Sequence, residues 1–492
     1  MVHKFMHFSL PSRKTVWQLA LASGISMTVY LVASALYYRV GFPLDDSWIH
    51  LTYARNLAVF GEWAFQPGKS SAGSTAPLWT VLLSIGFFIK LAPYIWTYLL
   101  GTLLLWGMGL LSEMVARRVS SAYQSRIPWI GLFMILEWHL VWAAASGMET
   151  LLHALLVTLV LGMLMSGTRR FMTLGLLVGL SVWVRPDGVT LLGPIIVYAL
   201  AGTGSGKKRI QDAGLMLIGF ASLFVPFLLF NLVLAGTPMP NTFYAKQAEY
   251  VAWQARPFLS RFGQLSLQFF VGPSLALLPG AIAWFIISLQ RRNWGTLVGM
   301  VWFAGYLFLY VERLPVYQHG RYIMPAMPIY FLWGLIAISE FIKSKTLGRY
   351  HWVAAVSWAL FVGFLCFSFW LIGGYTYAQD VALIESEMVT SAKWVAENVP
   401  PEEVIAAHDI GALGYYDSHN LIDLAGLVSP EVIPFIRDEK RLAQFLDDRN
   451  AMYLIAFPDF YPELSEQAEP VFVTNGIGPD LGGENMVVFH WR

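Results

Sequence analysis

The chain is short of charge and almost without cysteine. Of its 492 residues only 13% are Asp, Glu, Lys or Arg, while 57% are hydrophobic, against roughly 45–50% in a soluble domain. With a mean hydropathy of +0.56, this excludes a soluble globular protein and describes a polytopic membrane one. A single cysteine, Cys366, inside an apolar run, excludes an intramolecular disulfide. No Asn-x-Ser/Thr sequon occurs, which weakly favours a prokaryotic source. Nucleotide fingerprints are missing too. The stretch "AGTGSGKK" (201–208) imitates a phosphate loop, but GxxxxGK[ST] needs Gly where Ala201 stands and Ser or Thr where Lys208 stands. It reads as a flexible cytoplasmic loop, so neither a nucleotide donor nor a nucleic-acid partner is expected.

The net charge of +1 conceals an asymmetry: residues 1–373 carry 26 Lys/Arg against 11 Asp/Glu, and residues 374–492 carry 6 against 20. Apolar runs of spanning length lie near 16–38, 95–116, 127–146, 149–168, 171–185, 188–203, 212–235, 272–290, 294–311, 322–342 and 351–373. The first is too long for a signal-peptide core and lacks a cleavage site, so it is expected to remain as a span. Basic clusters at Lys4/Arg13/Lys14, Arg117/Arg118/Arg126, Arg169/Arg170, Lys207/Lys208/Arg209, Arg291/Arg292 and Lys343/Lys345/Arg349 fall at every second loop. Those loops are expected in the cytoplasm. The alternation predicts eleven spans, a multi-pass plasma-membrane protein, a cytoplasmic N-terminus and an extracytoplasmic C-terminus.

This parity leaves "PLWTVLLSIGFFI" (77–89), 13 residues, as an interfacial or re-entrant stretch. Residues 39–94 then form one long extracytoplasmic loop, with "GKSSAGSTAP" as the turn between two juxtamembrane helices. A membrane domain is expected over 1–377 and a small extracytoplasmic α/β domain over 378–492, where "VIAAHD", "NLIDLA", "MYLIAF", "VFVT" and "MVVFHW" read as short strands behind a helical "DVALIESEMVTSAKWVAENV".

Within the long loop stands "GFPLDDSWIHLTYARN" (41–56). Adjacent carboxylates just past a span can be a solvated helix cap. Here Pro43 fixes the approach, Trp48, His50 and Tyr53 follow, and the cations of later loops gather on the same side. Desolvated aspartates there suit proton abstraction or cation binding. A DDxxD diphosphate–magnesium motif would need an acid where Ile49 stands, and the GxGD of intramembrane aspartyl proteases is absent. Arg185 in "RPDG" and Arg321 in "HGRYIMPAMP", with Lys246 and His319, could bind an anionic headgroup, a guanidinium gripping phosphate at two points. Glu149 in "SGMET" is a further site candidate, and Trp48 the tryptophan best placed as a sugar platform. Glu137 and His139, inside a span, read as buried packing partners.

These residues carry a resemblance. "PLDDSWIHLTYARNLAVFGEWAFQPGKSSAGSTAPLW", "SGMETLLHALL", "VRPDGV", "GTPMPNTFYAK", "GRYIMPAMP" and "DIGALGYY…LIDLAGL" resemble the GT-C glycosyltransferases over about residues 39–430, particularly the branch of mycobacterial terminal arabinofuranosyltransferases. The resemblance implies a GT-C-like polytopic α-helical fold with juxtamembrane helices in the first outer loop. It also implies a polyprenyl-phosphate sugar donor, carrying arabinofuranose or mannose, and inverting transfer to a glycan, lipid or protein acceptor. It makes Asp45 the base, with Asp46 orienting the acceptor or holding a divalent cation (Mg, Mn or Ca). Arg321, His319, Lys246 and Arg185 would receive the donor phosphate; Trp48, His50, Glu149, Asn241 and Tyr244 would line the substrate. The alternatives are a lipid-linked sugar flippase and a ligase moving whole glycans from a diphosphate lipid. The first would need polar residues on both faces and through the middle, whereas here they gather outside. The second shares the geometry expected of the transferase.

Overall fold

The computed structural model describes residues 11–202, 204–343 and 345–491. Lys4 and Thr203, and the side chain of Lys345, lie outside the described residues.

Each apolar run is helical: Arg13–Tyr37, Pro93–Val119, the pair Trp129–Leu136 and Trp138–Ala145, Thr150–Met165, Phe171–Val184, Leu192–Ala201, Gly206–Ala235, Pro273–Gln290, Trp294–Arg313, Met327–Lys343 and His351–Ser386. Among the described residues seven helical stretches are individually long and apolar enough to cross a bilayer; Thr150–Met165, Phe171–Val184 and Pro186–Ala201 are shorter apolar helices. Large apolar side chains such as Trp17, Leu36, Val233 and Val301 point outward from the bundle, as a lipid-facing surface requires. Met327–Lys343 runs through the centre, buried almost all round. Where helices Phe171–Val184 and Gly206–Ala235 meet, glycines replace side chains. A Cβ on Gly175 would collide with the carbonyl of Met216, and one on Gly219 with that of Met172.

The run near 127–146 is not one helix. Glu137 leaves the helical region (φ −71°, ψ 119°), and its carboxylate accepts the Leu140 N–H at 3.2 Å and meets His139 Nδ1 at 2.8 Å. Glu137 thus caps the second half of a broken helix, a packing role for both residues.

The long first loop also differs from a pair of helices joined by a turn. Helix Asp46–Phe60 is followed by a hairpin of β1 (Ala64–Gln66) and β2 (Lys69–Ser70), then extended chain, then helix Pro77–Phe88. Gly68, at φ 79°, makes the hairpin turn, and Asn56 Nδ2 ties helix to hairpin by donating to the carbonyls of Ala64 and Phe65, both at 2.9 Å.

All five strands expected near the C-terminus are present: β3 (Val404–Ala407), β4 (Asn420–Asp423), β5 (Ala451–Ala456), β6 (Glu469–Val473) and β7 (Val487–His490). The sheet order is β4-β3-β5-β7-β6, with β3 parallel to β4 and β5, and β7 antiparallel to β5 and β6. The boundary expected at 378 falls inside the unbroken helix His351–Ser386, which carries the chain from bundle to sheet as one rod. That rod ends at Glu387, whose carboxylate accepts the N–H groups of Gly478 (3.0 Å) and Met486 (2.9 Å) and the Thr474 hydroxyl. The sheet domain is pinned to the first loop as well. Arg55 donates to the carbonyls of Tyr415 (2.6 Å) and Gly414 (3.1 Å), and Gln66 to that of His419 (2.8 Å).

Candidate active site

Asp45 and Asp46 open helix Asp46–Phe60, yet they point into two different environments. Asp45 occupies the N-cap position but does not cap its own helix. It is buried, and its carboxylate accepts the N–H of Gly411 at 2.6 Å and of Ala412 at 2.8 Å, both from the sheet domain. Burial pushes its carboxyl up to about 6 although the two N–H groups pull it down, and the charge of Asp46 adds to the rise. The solvated-cap reading therefore does not hold for Asp45.

Asp46 is more open and accepts a 2.6 Å charge-assisted bond from Arg321 Nη2. Burial works to raise its carboxyl, but Arg321 and Lys246 outweigh it and hold the group at about 2. Asp46 is a permanent anion; Asp45 is a carboxylate able to take a proton near neutral pH.

Around Arg321 the cations converge on one ring. The Tyr322 hydroxyl accepts from Arg321 Nη2 and from Lys246 Nζ, each at 3.0 Å. The Arg321, Lys246 and Arg185 cationic groups lie 4.9, 5.0 and 5.4 Å from its ring centroid. Arg321 is 6% exposed, and its Nε and Nη1 are buried with no hydrogen-bond partner. Guanidinium donors left unpaired inside a protein cost free energy, so these two are available to an incoming acceptor.

Arg185 leads to a second network. Its Nε donates to Asp187 Oδ1 at 3.2 Å, its Nη2 to the Tyr310 hydroxyl at 3.2 Å, and its Nη1 lies 3.5 Å from Glu149 Oε1. The Tyr306 and Tyr310 hydroxyls both donate to Asp187 Oδ2. Glu149 Oε2 is 3.4 Å from His50 Nε2, and His50 Nδ1 is 3.2 Å from Ser74 Oγ. Asp46, Arg321, Tyr322, Lys246, Arg185, Asp187, Tyr310, Glu149 and His50 thus form one continuous polar cluster at the end of the bundle that carries the sheet domain.

Four expected site residues make no hydrogen bond or ion pair with this cluster. Trp48 is 1% exposed and packed among Phe42, Tyr94, Tyr415 and Tyr416. A sugar platform needs an open ring face, so Trp48 is core. His319 turns away on a left-handed backbone (φ 59°), meets Asp380 Oδ2 at 2.8 Å and packs on Trp138 and Trp142, apart from Arg321. Asn241 is a strut: its Nδ2 donates to the Leu427 carbonyl and its N–H to that of Ala72. Tyr244 packs edge-on against Phe243. Tyr322, Asp187 and the Gly411–Ala412 backbone were not singled out from the sequence, although each lies inside a quoted motif; Tyr310 was missed at the end of the apolar run 294–311.

A divalent cation would need several hard oxygen ligands. Among the described residues no three His, Cys, Asp or Glu side chains come together as ligands, and Asp46, the acid nearest that role, is engaged by Arg321. The described residues do not form a protein-built metal cage.

A family described as a domain of unknown function, DUF8728, matches residues 376–489. No curated protein matches the chain in sequence. Among solved structures, ArnT from Cupriavidus metallidurans bound to undecaprenyl phosphate is similar with a TM-score of 0.58 at 16% identity, over 96% of this chain and 98% of that one. The apo oligosaccharyltransferase of Archaeoglobus fulgidus is similar with a TM-score of 0.62 at 12% identity, over 91% of this chain and 70% of that one. The same archaeal enzyme, AglB, with an inhibitory peptide and a dolichol-phosphate matches equally, at 0.62 and 11% identity, with the same coverage. The chain has the GT-C fold.

Proposed function

We propose that this protein is a membrane glycosyltransferase that moves one sugar from a polyprenyl-phosphate donor to an extracytoplasmic glycan, lipid or protein acceptor. The observation that carries this reading is the juxtaposition, on a GT-C fold, of an acid pair with a buried cation cluster in which two Arg321 donors lack partners. ArnT and AglB are seen with undecaprenyl phosphate and dolichol-phosphate, lipids of the class proposed here. The cluster would lie at the extracytoplasmic mouth, with the N-terminus in the cytoplasm, a membrane domain over 1–377 and the sheet domain, 378–492, outside.

In such a transfer the acceptor hydroxyl attacks the anomeric carbon and the bond from that carbon to the phosphate oxygen breaks, its electron pair staying on the phosphate. The hydroxyl is a poor nucleophile, so it surrenders its proton to a base. The phosphate leaves readily and needs mainly stabilisation of its growing charge. Asp45 is the base, its carboxyl near 6 suiting it to neutral pH, and the accepted proton passes to water. Arg321, Lys246 and Tyr322, with Arg185 behind them, receive the phosphate. Asp46 holds Arg321 in place and lies beside the acceptor. Glu149 and His50 line the approach. A single displacement of this kind inverts the anomeric centre; arabinofuranose and mannose are the first sugars to test.

Similarity to an oligosaccharyltransferase also keeps transfer of a whole glycan from a diphosphate lipid in view. The protein purified in nanodiscs and given synthetic polyprenyl-phosphate arabinose or mannose should release polyprenyl phosphate and lengthen an acceptor by one sugar, as read by mass spectrometry. Lengthening by a block of sugars from a diphosphate lipid would move the assignment to the ligase; lipid binding without cleavage would support a flippase.

A further inference from the structure

The sheet domain has no assigned role, yet its atoms touch the proposed base. An aspartate at an N-cap ordinarily accepts from the N–H groups of its own first turn. Asp45 makes no such bond. Helix Gly411–Tyr416 in turn has Ile410 at its N-cap, which offers no side-chain acceptor. Its free Gly411 and Ala412 N–H groups are taken by Asp45, 366 and 367 residues away in sequence. The approach is tight enough that a Cβ on Gly411 would collide with the Asp45 carbonyl.

We propose that the segment Ile410–Ala412 is a positioning element for Asp45, its two backbone N–H groups holding the carboxylate in place and favouring its ionised form. This deepens, and rests on, the reading of Asp45 as base. Asp46 faces Asp45 from its own helix and Asp409 from the sheet domain, and both are acidic; Arg321, Lys246 and His50 act on Asp46 beside it. Burial and acidic neighbours disfavour a charge on Asp45, while the N–H pair opposes them. The domain would then set how far down in pH the base keeps working. Each transfer puts a proton on Asp45 and takes one from the acceptor hydroxyl, so the two N–H bonds weaken and recover once per cycle.

The test is the pH profile of kcat/KM for the full-length protein in nanodiscs. Gly411→Ala is the direct variant, but its steric clash can also cost folding. A second variant replaces Ala412 by lactate through nonsense suppression, which turns the 412 amide into an ester and removes the N–H without changing the side chain. Losing one hydrogen bond to a charged group raises the carboxyl by about one pH unit. The acidic limb, expected near pH 6 in the wild type, should therefore move up by about that much. Activity at pH 6 should fall about fivefold and activity at pH 8.5 stay within about twofold. Ala412→Ser, which retains the N–H, should leave the limb where it is. An ester variant with an unmoved limb, or with equal loss at every pH, overturns the positioning role. The base reading fails separately, if Asp45→Asn transfers sugar as well as the wild type, and it takes this proposal with it.

Discussion

The bundle carries arginines at both ends, and the two sets behave differently. At the end away from the sheet domain, Arg291 is 56% exposed in its side chain and forks onto Glu340 at 3.1 and 2.7 Å; Arg117 pairs with Glu113 one helical turn back; and Arg169, Arg209 and Arg292 line a cavity of about 250 Å³. At the other end Arg321 and Arg185 have side chains 7% and 10% exposed and share one tyrosine ring with Lys246. The first set has the open, locally paired character of charges that fix orientation in a membrane. The second is desolvated and held among carboxylates and tyrosines, the kind of environment in which functional charges are concentrated. Residue type is the same at both ends, so it is burial and common aim that separate topology from chemistry.

Asp45→Asn should produce the largest effect. Removing a general base costs about 10²–10⁴-fold in turnover, and donor binding should survive because the cation cluster is untouched. The amide would set one N–H₂ against a backbone N–H of Gly411 or Ala412, so size-exclusion behaviour and melting must be read alongside activity. A folded Asn variant with wild-type turnover would break the contrast at its centre.

Next in size is Arg321. Arg321→Ala removes the charge, the two donors that make no hydrogen bond within the protein and the partner of Asp46, and should cost about 10²–10³-fold. Arg321→Lys keeps the charge but loses the planar two-point geometry, and should fall about tenfold or more, mainly in kcat because the phosphate charge grows as the glycosidic bond breaks. An interfacial anchor would tolerate lysine, which snorkels equally well. Full activity in Arg321→Lys, with kcat and KM measured on a synthetic donor, would place the two ends of the bundle on the same footing.

These contrasts also show what a linear reading can reach. Apolar runs located the long helices of the bundle because length and hydropathy act locally, though the amphipathic helix Phe258–Phe270 lies outside every run, and the five strands were legible because alternation survives in short segments. The break at Glu137 was not, since one carboxylate turning back to cap Leu140 leaves no trace in hydropathy. The β1–β2 hairpin was hidden by its brevity. Within the site, Asp46, Arg321, Lys246, Arg185, Glu149 and His50 stand in motifs picked out from the sequence, and hydrogen bonds, ion pairs and the Tyr322 ring link them, while Asp45 turns to the Gly411–Ala412 backbone. Tyr322 was passed over beside Arg321 because its importance lies in three cations arriving from separate segments of the chain. Trp48 and His319 were misplaced for the opposite reason: neighbours distant in sequence, Tyr415 and Tyr416 for one and Asp380 for the other, claim their faces first.

Tyr322→Phe probes that convergence more gently. The ring and its cation–π contacts remain, but the hydroxyl that gathers Arg321 and Lys246 is lost. Hydrogen bonds to charged groups contribute about 1.5–3 kcal/mol each, part of which the two cations recover from a bound phosphate, so turnover should fall about tenfold. A silent Tyr322→Phe would mean that the cations organise themselves.

The smallest effect is expected at the opposite end, and it is the control that gives the others meaning. Arg291→Gln removes a guanidinium as completely as Arg321→Ala does, from a bidentate pair with better geometry than most. Because the Arg291 side chain is 56% exposed while that of Glu340 is 13% exposed, water takes over the lost partner only in part, but ion pairs at the surface contribute little on average. Activity should stay within about twofold and kcat and KM should move together, if at all. Removing Arg292 as well would weaken the positive loop that holds topology, which cysteine labelling from either side of the membrane would register as altered access without any change in the chemistry of correctly inserted molecules. If Arg291→Gln instead lowered kcat as far as Arg321→Lys, burial and convergence would not be what distinguishes the two ends, and the phosphate site would have to be sought at both.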